Sequence, residues 1–111
     1  MMFVTGPLFS GKRTFVKNRF DWTEEELRRN AVLDAQELAA SEEELTSLAD
    51  RLAEAAVVVS VEVGGGVVPA DPAQRAERER AGRLACLLAE RADTVVRLCC
   101  GLPEVLKGEL P

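Results

Sequence analysis

Gly6, Gly11 and Lys12 stand at the spacing G-x-x-x-x-G-K, directly after the apolar run Met2-Phe3-Val4. A strand, a glycine-bounded loop and a helix in that order have the layout of a phosphate-binding loop. Backbone N–H groups along Gly6, Pro7, Leu8, Phe9, Ser10, Gly11, Lys12, Arg13 and Thr14 would wrap an anion at the positive end of a helix dipole. Lys12 would neutralise charge on a transferred phosphate, the catalytic role such a lysine plays. The residue after the lysine should carry a hydroxyl to ligate Mg²⁺, and here it is Arg13. Thr14 lies about 100° further round the helix and does not replace it. Arg13 either adds a charge to the phosphates without a metal or is an exposed arginine beside a weakened Mg²⁺ site. The plainer reading of the segment is a glycine-punctuated strand-to-helix turn.

Two acids belong to the same question. Asp34 closes the short apolar run Ala31-Val32-Leu33, and Glu62 follows the run Val57 to Val61. Both are expected at the C-terminal edge of a parallel sheet, where ligands of α/β proteins bind. Asp34 and Glu62 are therefore the candidate Mg²⁺ ligands, with Glu62 also a candidate catalytic carboxylate beside Lys12. Asp34 reads equally well as a cap for the turn that follows it. Arg75, Arg78, Arg80 and Arg83, interleaved with Glu77 and Glu79, read as a solvated, ion-paired helix face. Cys86, Cys99 and Cys100 read as small buried hydrophobes in a reduced compartment. With no histidine and no C-x-x-C spacing, a transition-metal site is not expected, and any mechanism needing an imidazole is closed.

The elements that must position these residues alternate apolar runs with amphipathic helices, the pattern of βαβ units. Strands are expected over residues 2–5, 31–34, 56–61 and 94–100. Helices are expected over residues 11–20, over 24–30 behind a Thr23/Glu26 capping box, and to about Ala55 behind a second box at Ser41/Glu44. The longest helix should begin at Asp71-Pro72, with Ala73, Ala76, Leu84, Leu87 and Leu88 on its inner stripe. Gly64-Gly65-Gly66 should break the chain after the Val run, with Val67 to Pro69 as a loop. The fold class expected is α/β: a P-loop NTPase-like three-layer domain with a small, mainly parallel sheet flanked by helices. Residues 1–111 should form one such domain, 101–111 being a C-terminal tail.

At 47% hydrophobic and 30% charged residues the composition is that of an ordinary globular chain. Nineteen acidic against 14 basic residues give a net charge of −5, which disfavours a nucleic-acid partner. Met1 leads straight into a strand-like run without a basic leader. No apolar run approaches the roughly 20 residues needed to span a bilayer, so no membrane span and a cytoplasmic location are expected.

The run Val57-Val58-Val59-Ser60-Val61-Glu62-Val63-Gly64-Gly65-Gly66-Val67-Val68-Pro69 resembles the "V-S-N-E-V-G-x-G-I-V-P" signature of the adenosylcobinamide kinase/adenosylcobinamide-phosphate guanylyltransferase family. The resemblance continues through Arg75, Arg78, Glu79, Gly82-Arg83-Leu84 and Leu88-Ala89, then Ala92-Asp93-Thr94-Val95 and Gly101-Leu102-Pro103. Phe3-Val4-Thr5-Gly6 and Ser10-Gly11-Lys12 are similar to the family's "V-T-G-G-x-x-S-G-K-S". Trp22-Thr23 and Ala31-Val32-Leu33-Asp34 are similar to its "W-x-T-x-E" and "L-x-D-C-L-T". The resemblance implies a phosphate-loop protein of cobalamin assembly that binds GTP or ATP with Mg²⁺. It further implies phosphorylation of the aminopropanol arm of adenosylcobinamide, GMP transfer through a guanylylated histidine, and assembly as a homotrimer.

The chain departs from that pattern at several points. It is shorter between its first helix and Trp22, where the family carries a strand and the nucleotidylated histidine, and it has no histidine at all. Arg13 replaces the loop serine, Val61 the signature asparagine, and Ala85-Cys86 the Asn-Gln after Gly-Arg. These departures favour a nucleotide- or phosphate-binding relative that has lost guanylyl transfer, with adenosylcobinamide or another corrinoid as a further ligand. A working minimal NTP-dependent cobinamide kinase is the alternative.

Overall fold

Three successive valines at Val57–Val59 and the run Met2–Val4 cannot alternate between core and water, so both must lie in strands covered on both faces. The computed structural model, which describes residues 1–41, 43–63 and 69–111, shows this. Strand β1 (Met2–Gly6) is followed by α1 (Lys12–Phe20), α2 (Glu24–Asn30), β2 (Ala31–Val32) and a 3₁₀ segment (Ala35–Ala40). Then come α3 (Leu45–Leu52), β3 (Val57–Val61), α4 (Pro72–Arg91), β4 (Thr94–Cys99) and β5 (Leu102–Lys107). Among the described residues the sheet has five strands in the order β2-β3-β1-β4-β5. The first four are parallel, and β5 runs antiparallel to β4.

Successive residues of β1 point to opposite faces, and two apolar layers result. Met2 and Val4 join Val57, Val59, Val96 and Leu98 beneath Val16 of α1 and Leu27 of α2. Phe3 joins Val58 and Val95 beneath the 3₁₀ segment, α3 and α4, with Leu48, Leu84 and Leu88 at the centre. This is the expected three-layer α/β architecture with a mainly parallel sheet. Among the described residues no helix is long and apolar enough to cross a membrane.

Several expectations change. The Thr23/Glu26 capping box forms, with both reciprocal bonds present. The second box does not: Ser41 ends the 3₁₀ segment, and α3 starts at Leu45 behind Glu44, which makes no side-chain cap. Strand β2 stops at Val32, leaving Asp34 in the left-handed region at φ 54°. In α4 the buried residues are Ala81, Leu84 and Leu88, Leu87 is half-buried, and Ala73 and Ala76 are exposed. Length explains this: a 20-residue helix spans about 30 Å, whereas a five-residue strand such as β3 spans about 17 Å, so the helix outruns the sheet.

All three cysteines are exposed, not buried. Cys86 lies on the side of α4 turned away from Leu84 and Leu88, while Cys99 and Cys100 sit at the β4–β5 turn. The expected tail contains β5, every residue of which is exposed. Gly64-Gly65-Gly66, Val67 and Val68 lie outside the described residues.

Candidate functional site

The loop leaves β1 at Gly6, whose φ of 153° favours glycine. A Cβ there would stand 2.5 Å from the Leu98 carbonyl oxygen and 2.8 Å from Ser10 Oγ, so only glycine lets the loop begin this close to β4. The Gly6 carbonyl accepts from the Glu62 N–H at 2.7 Å, tying the loop to the end of β3. On the opposite side, the Gly101 N–H donates to the Ser10 carbonyl at 2.8 Å. Gly11, at φ 90°, is the N-cap of α1 and has no side chain to cap it. The first-turn N–H groups of α1 have no intrahelical acceptor, and no acid stands among Lys12, Arg13 and Thr14. The positive end of the helix therefore faces outward from the loop.

A cavity of about 300 Å³ opens there, lined by Leu8 to Thr14 with Asp34, Val59 and Val61. It lies at the C-terminal ends of β1 and β3. These are adjacent strands, and the next helices packed on the sheet, α1 after β1 and α4 after β3, cover opposite faces. That is the switch point at which open α/β sheets form their ligand crevice.

Lys12 is buried, and its amine folds into the loop to donate to the Pro7 carbonyl at 2.7 Å and to Ser10 Oγ at 3.4 Å. Burial lowers its pKa below the ordinary lysine value, and the nearby charges of Asp34 and Glu62 offset part of that effect. Arg13 leaves the first turn and donates through Nη2 to Asp34 Oδ2 at 3.1 Å. Glu62 does not line the cavity. Its carboxylate accepts from Arg97 Nε at 3.2 Å and Arg97 Nη2 at 2.9 Å, and that pairing raises the Arg97 pKa.

The structure thus brings the loop and Asp34 together around one cavity and sets Glu62 at its edge. Each of the two acids accepts from a guanidinium. As they stand, Asp34 Oδ2 and both oxygens of Glu62 accept from arginines rather than facing an open Mg²⁺ site, and Arg13 occupies the position of the loop hydroxyl. Among the described residues no group of three or more Asp, Glu, Cys or His side chains is placed to hold a metal.

Sequence reasoning missed three participants. Arg97 is a charged residue in an otherwise apolar buried strand, and that contrast was the available signal. Gln36 Oε1 accepts from the Val61 N–H at 2.8 Å and from the Ser60 hydroxyl at 3.4 Å, fastening the 3₁₀ segment to the end of β3. Nothing in its local sequence announces this. Gly101 carries the contact from the β4–β5 turn to the loop.

A mainly parallel three-layer sheet with a strand–loop–helix at its switch crevice defines the class: an α/β protein with its candidate site at the C-terminal sheet edge. The family model described as cobinamide kinase / cobinamide phosphate guanyltransferase matches residues 14–106 of the 111. The chain belongs to that family. The matched span begins at Thr14, so the loop from Gly6 to Arg13 rests on its own geometry. No curated protein matches the chain.

Proposed function

We propose that this chain is a nucleotide-binding member of its family, taking the phosphates of GTP or ATP on residues 6–14, in which guanylyl transfer has been lost. The observation that carries the reading is the loop itself. It starts at a glycine that no other residue can replace, ends at an uncapped helix N-terminus, and lies at the switch crevice beside a buried lysine. Gly6, Pro7 and Leu8 to Thr14 bind the anion through their backbone, Pro7 contributing no N–H. Lys12 leaves the Pro7 carbonyl to meet the phosphate charge. The absence of histidine from the chain supports the loss of guanylyl transfer, since the family mechanism passes GMP through that side chain. The length supports a single 1–111 domain, the composition a cytoplasmic location, and the family resemblance a homotrimer.

Titration calorimetry with GTP, ATP and GDP tests the reading. Saturable triphosphate binding, weakened at least tenfold in Lys12→Ala, is expected; heats no larger than dilution for all three nucleotides would refute it.

A second reading, a working minimal cobinamide kinase, is supported by the convergence of Lys12 and Asp34 near one cavity, with Glu62 at its rim. It requires Asp34 and Glu62 to be released from Arg13 and Arg97, so that they can serve Mg²⁺ and the substrate hydroxyl. Incubation with adenosylcobinamide, Mg²⁺ and nucleotide distinguishes the two. A phosphorylated corrinoid above the Lys12→Ala background favours the kinase.

A further inference from the structure

Building on the reading that residues 6–14 hold phosphate groups, we propose that this site binds a polyphosphate without a divalent cation, Arg13 supplying the second counter-charge beside Lys12. Three observations converge. The hydroxyl that would ligate the ion is replaced by a guanidinium, and Thr14 is turned about 100° away from that position. The carboxylate best placed to hold the ion's water shell, Asp34, accepts from Arg13 at 3.1 Å. Both oxygens of the remaining acid, Glu62, are occupied by Arg97 at 3.2 and 2.9 Å.

The charge of the crevice's own side chains does not call for the ion. Lys12, Arg13 and Arg97 contribute three positive charges, and Asp34 and Glu62 two negative ones, so the crevice already carries a net charge of +1. A Mg²⁺ ion needs oxygen ligands in near-octahedral array. Here Asp34 Oδ2 and both carboxylate oxygens of Glu62 already accept from guanidinium groups.

The same geometry lets Arg13 change partners. The Arg13 and Asp34 side chains are 47% and 40% exposed, and an ion pair so open to water is weak. A di- or triphosphate offers more charge and a bidentate oxygen pair that matches the planar guanidinium. Arg13 therefore moves from Asp34 to the phosphate, and Asp34 acts as a competitor that holds the arginine when no anion is present.

The test is calorimetric titration of the full chain with inorganic pyrophosphate and with GTP, in excess EDTA and again in excess Mg²⁺. The expected result is an affinity in EDTA at least equal to that in Mg²⁺. Asp34→Asn should raise the EDTA affinity about two- to fivefold, because it removes the competitor while keeping the side-chain shape. Arg13→Ala should lower it at least tenfold with an unchanged circular-dichroism spectrum. Binding tenfold or more tighter in Mg²⁺ would overturn metal independence, and an Asp34→Asn affinity in EDTA below that of the parent would overturn the exchange of Arg13 from Asp34 to phosphate; either leaves the phosphate reading standing. If neither ligand bound in either medium, to the parent or to Asp34→Asn, the phosphate reading itself would fall and this proposal with it.

Discussion

Phe9 is 94% exposed and sits at φ 60°, a left-handed conformation in which a bulky side chain is strained. Phe9, Asp34 and Cys100 are three of the four non-glycine residues with positive φ among the described residues, and all three border the loop or the turn that touches it. Strain gathered at one edge of a sheet is typical of a functional site. Phe9→Gly should relieve it with no loss of burial. Allowing for the extra freedom of glycine in the unfolded chain, the expected gain is about 0.5–1 kcal/mol, read from urea unfolding midpoints. Lys12 gives a pH signature at the same scale. Its folded pKa is lowered, so the folded state binds fewer protons than the unfolded state in the window below the ordinary lysine value of about 10.4. Stability from this group is therefore lowest at neutral pH and rises as pH climbs through the folded value toward 10.4. Relative to Lys12→Met, the parent should gain unfolding free energy as pH rises through the window just below the ordinary lysine value; a parallel pair of stability curves would show that Lys12 is not buried as described.

Among the elements, α4 and β5 differ most from what their sequences suggest. The arginines of α4 read as a solvated face. Arg80, however, donates to the carbonyls of Ala39 at 2.7 Å, Ser41 at 3.1 Å and Glu43 at 3.0 Å, closing the end of the 3₁₀ segment. That is where the expected Ser41 capping box fails: the carbonyls are satisfied from another helix, a partnership no local pattern reveals. Arg80→Ala should cost about 1–3 kcal/mol in denaturant unfolding, and Arg80→Lys should recover less than half of that, because an ammonium cannot reproduce the planar fork. Strand β5 was invisible because Leu-Pro-Glu-Val-Leu-Lys lacks a buried face and contains Pro103, which an edge strand tolerates. Lys107 nonetheless anchors it, donating to the Ala89 and Glu90 carbonyls at the C-terminal end of α4.

At the scale of the whole molecule the parallel part of the sheet was legible. The doubly buried runs Met2–Val4, Val57–Val59 and Val95–Leu98 have one physical solution, a parallel sheet covered on both faces, and the loop at the end of the first strand followed from Gly6 and Gly11. The partners of the site's acids were not legible, because Arg97 reaches Glu62 across β1 and the sequence separation between them carries no period. Leu84 and Leu102 test this division. Leu84→Ala should cost about 2–5 kcal/mol, since the side chain lies in the core, whereas Leu102→Ala at a site 71% exposed should cost under about 0.5 kcal/mol in monomer unfolding.

The bond from the Gly101 N–H to the Ser10 carbonyl has a consequence in time. Strand β1 is synthesised before its neighbours in the sheet, β3 and β4, and the loop that follows it is braced by a turn roughly 90 residues downstream. At translation rates of about 5–20 residues per second that turn emerges about 5–20 s later. On the ribosome the residues of this loop are thus present about 5–20 s before the turn that braces them.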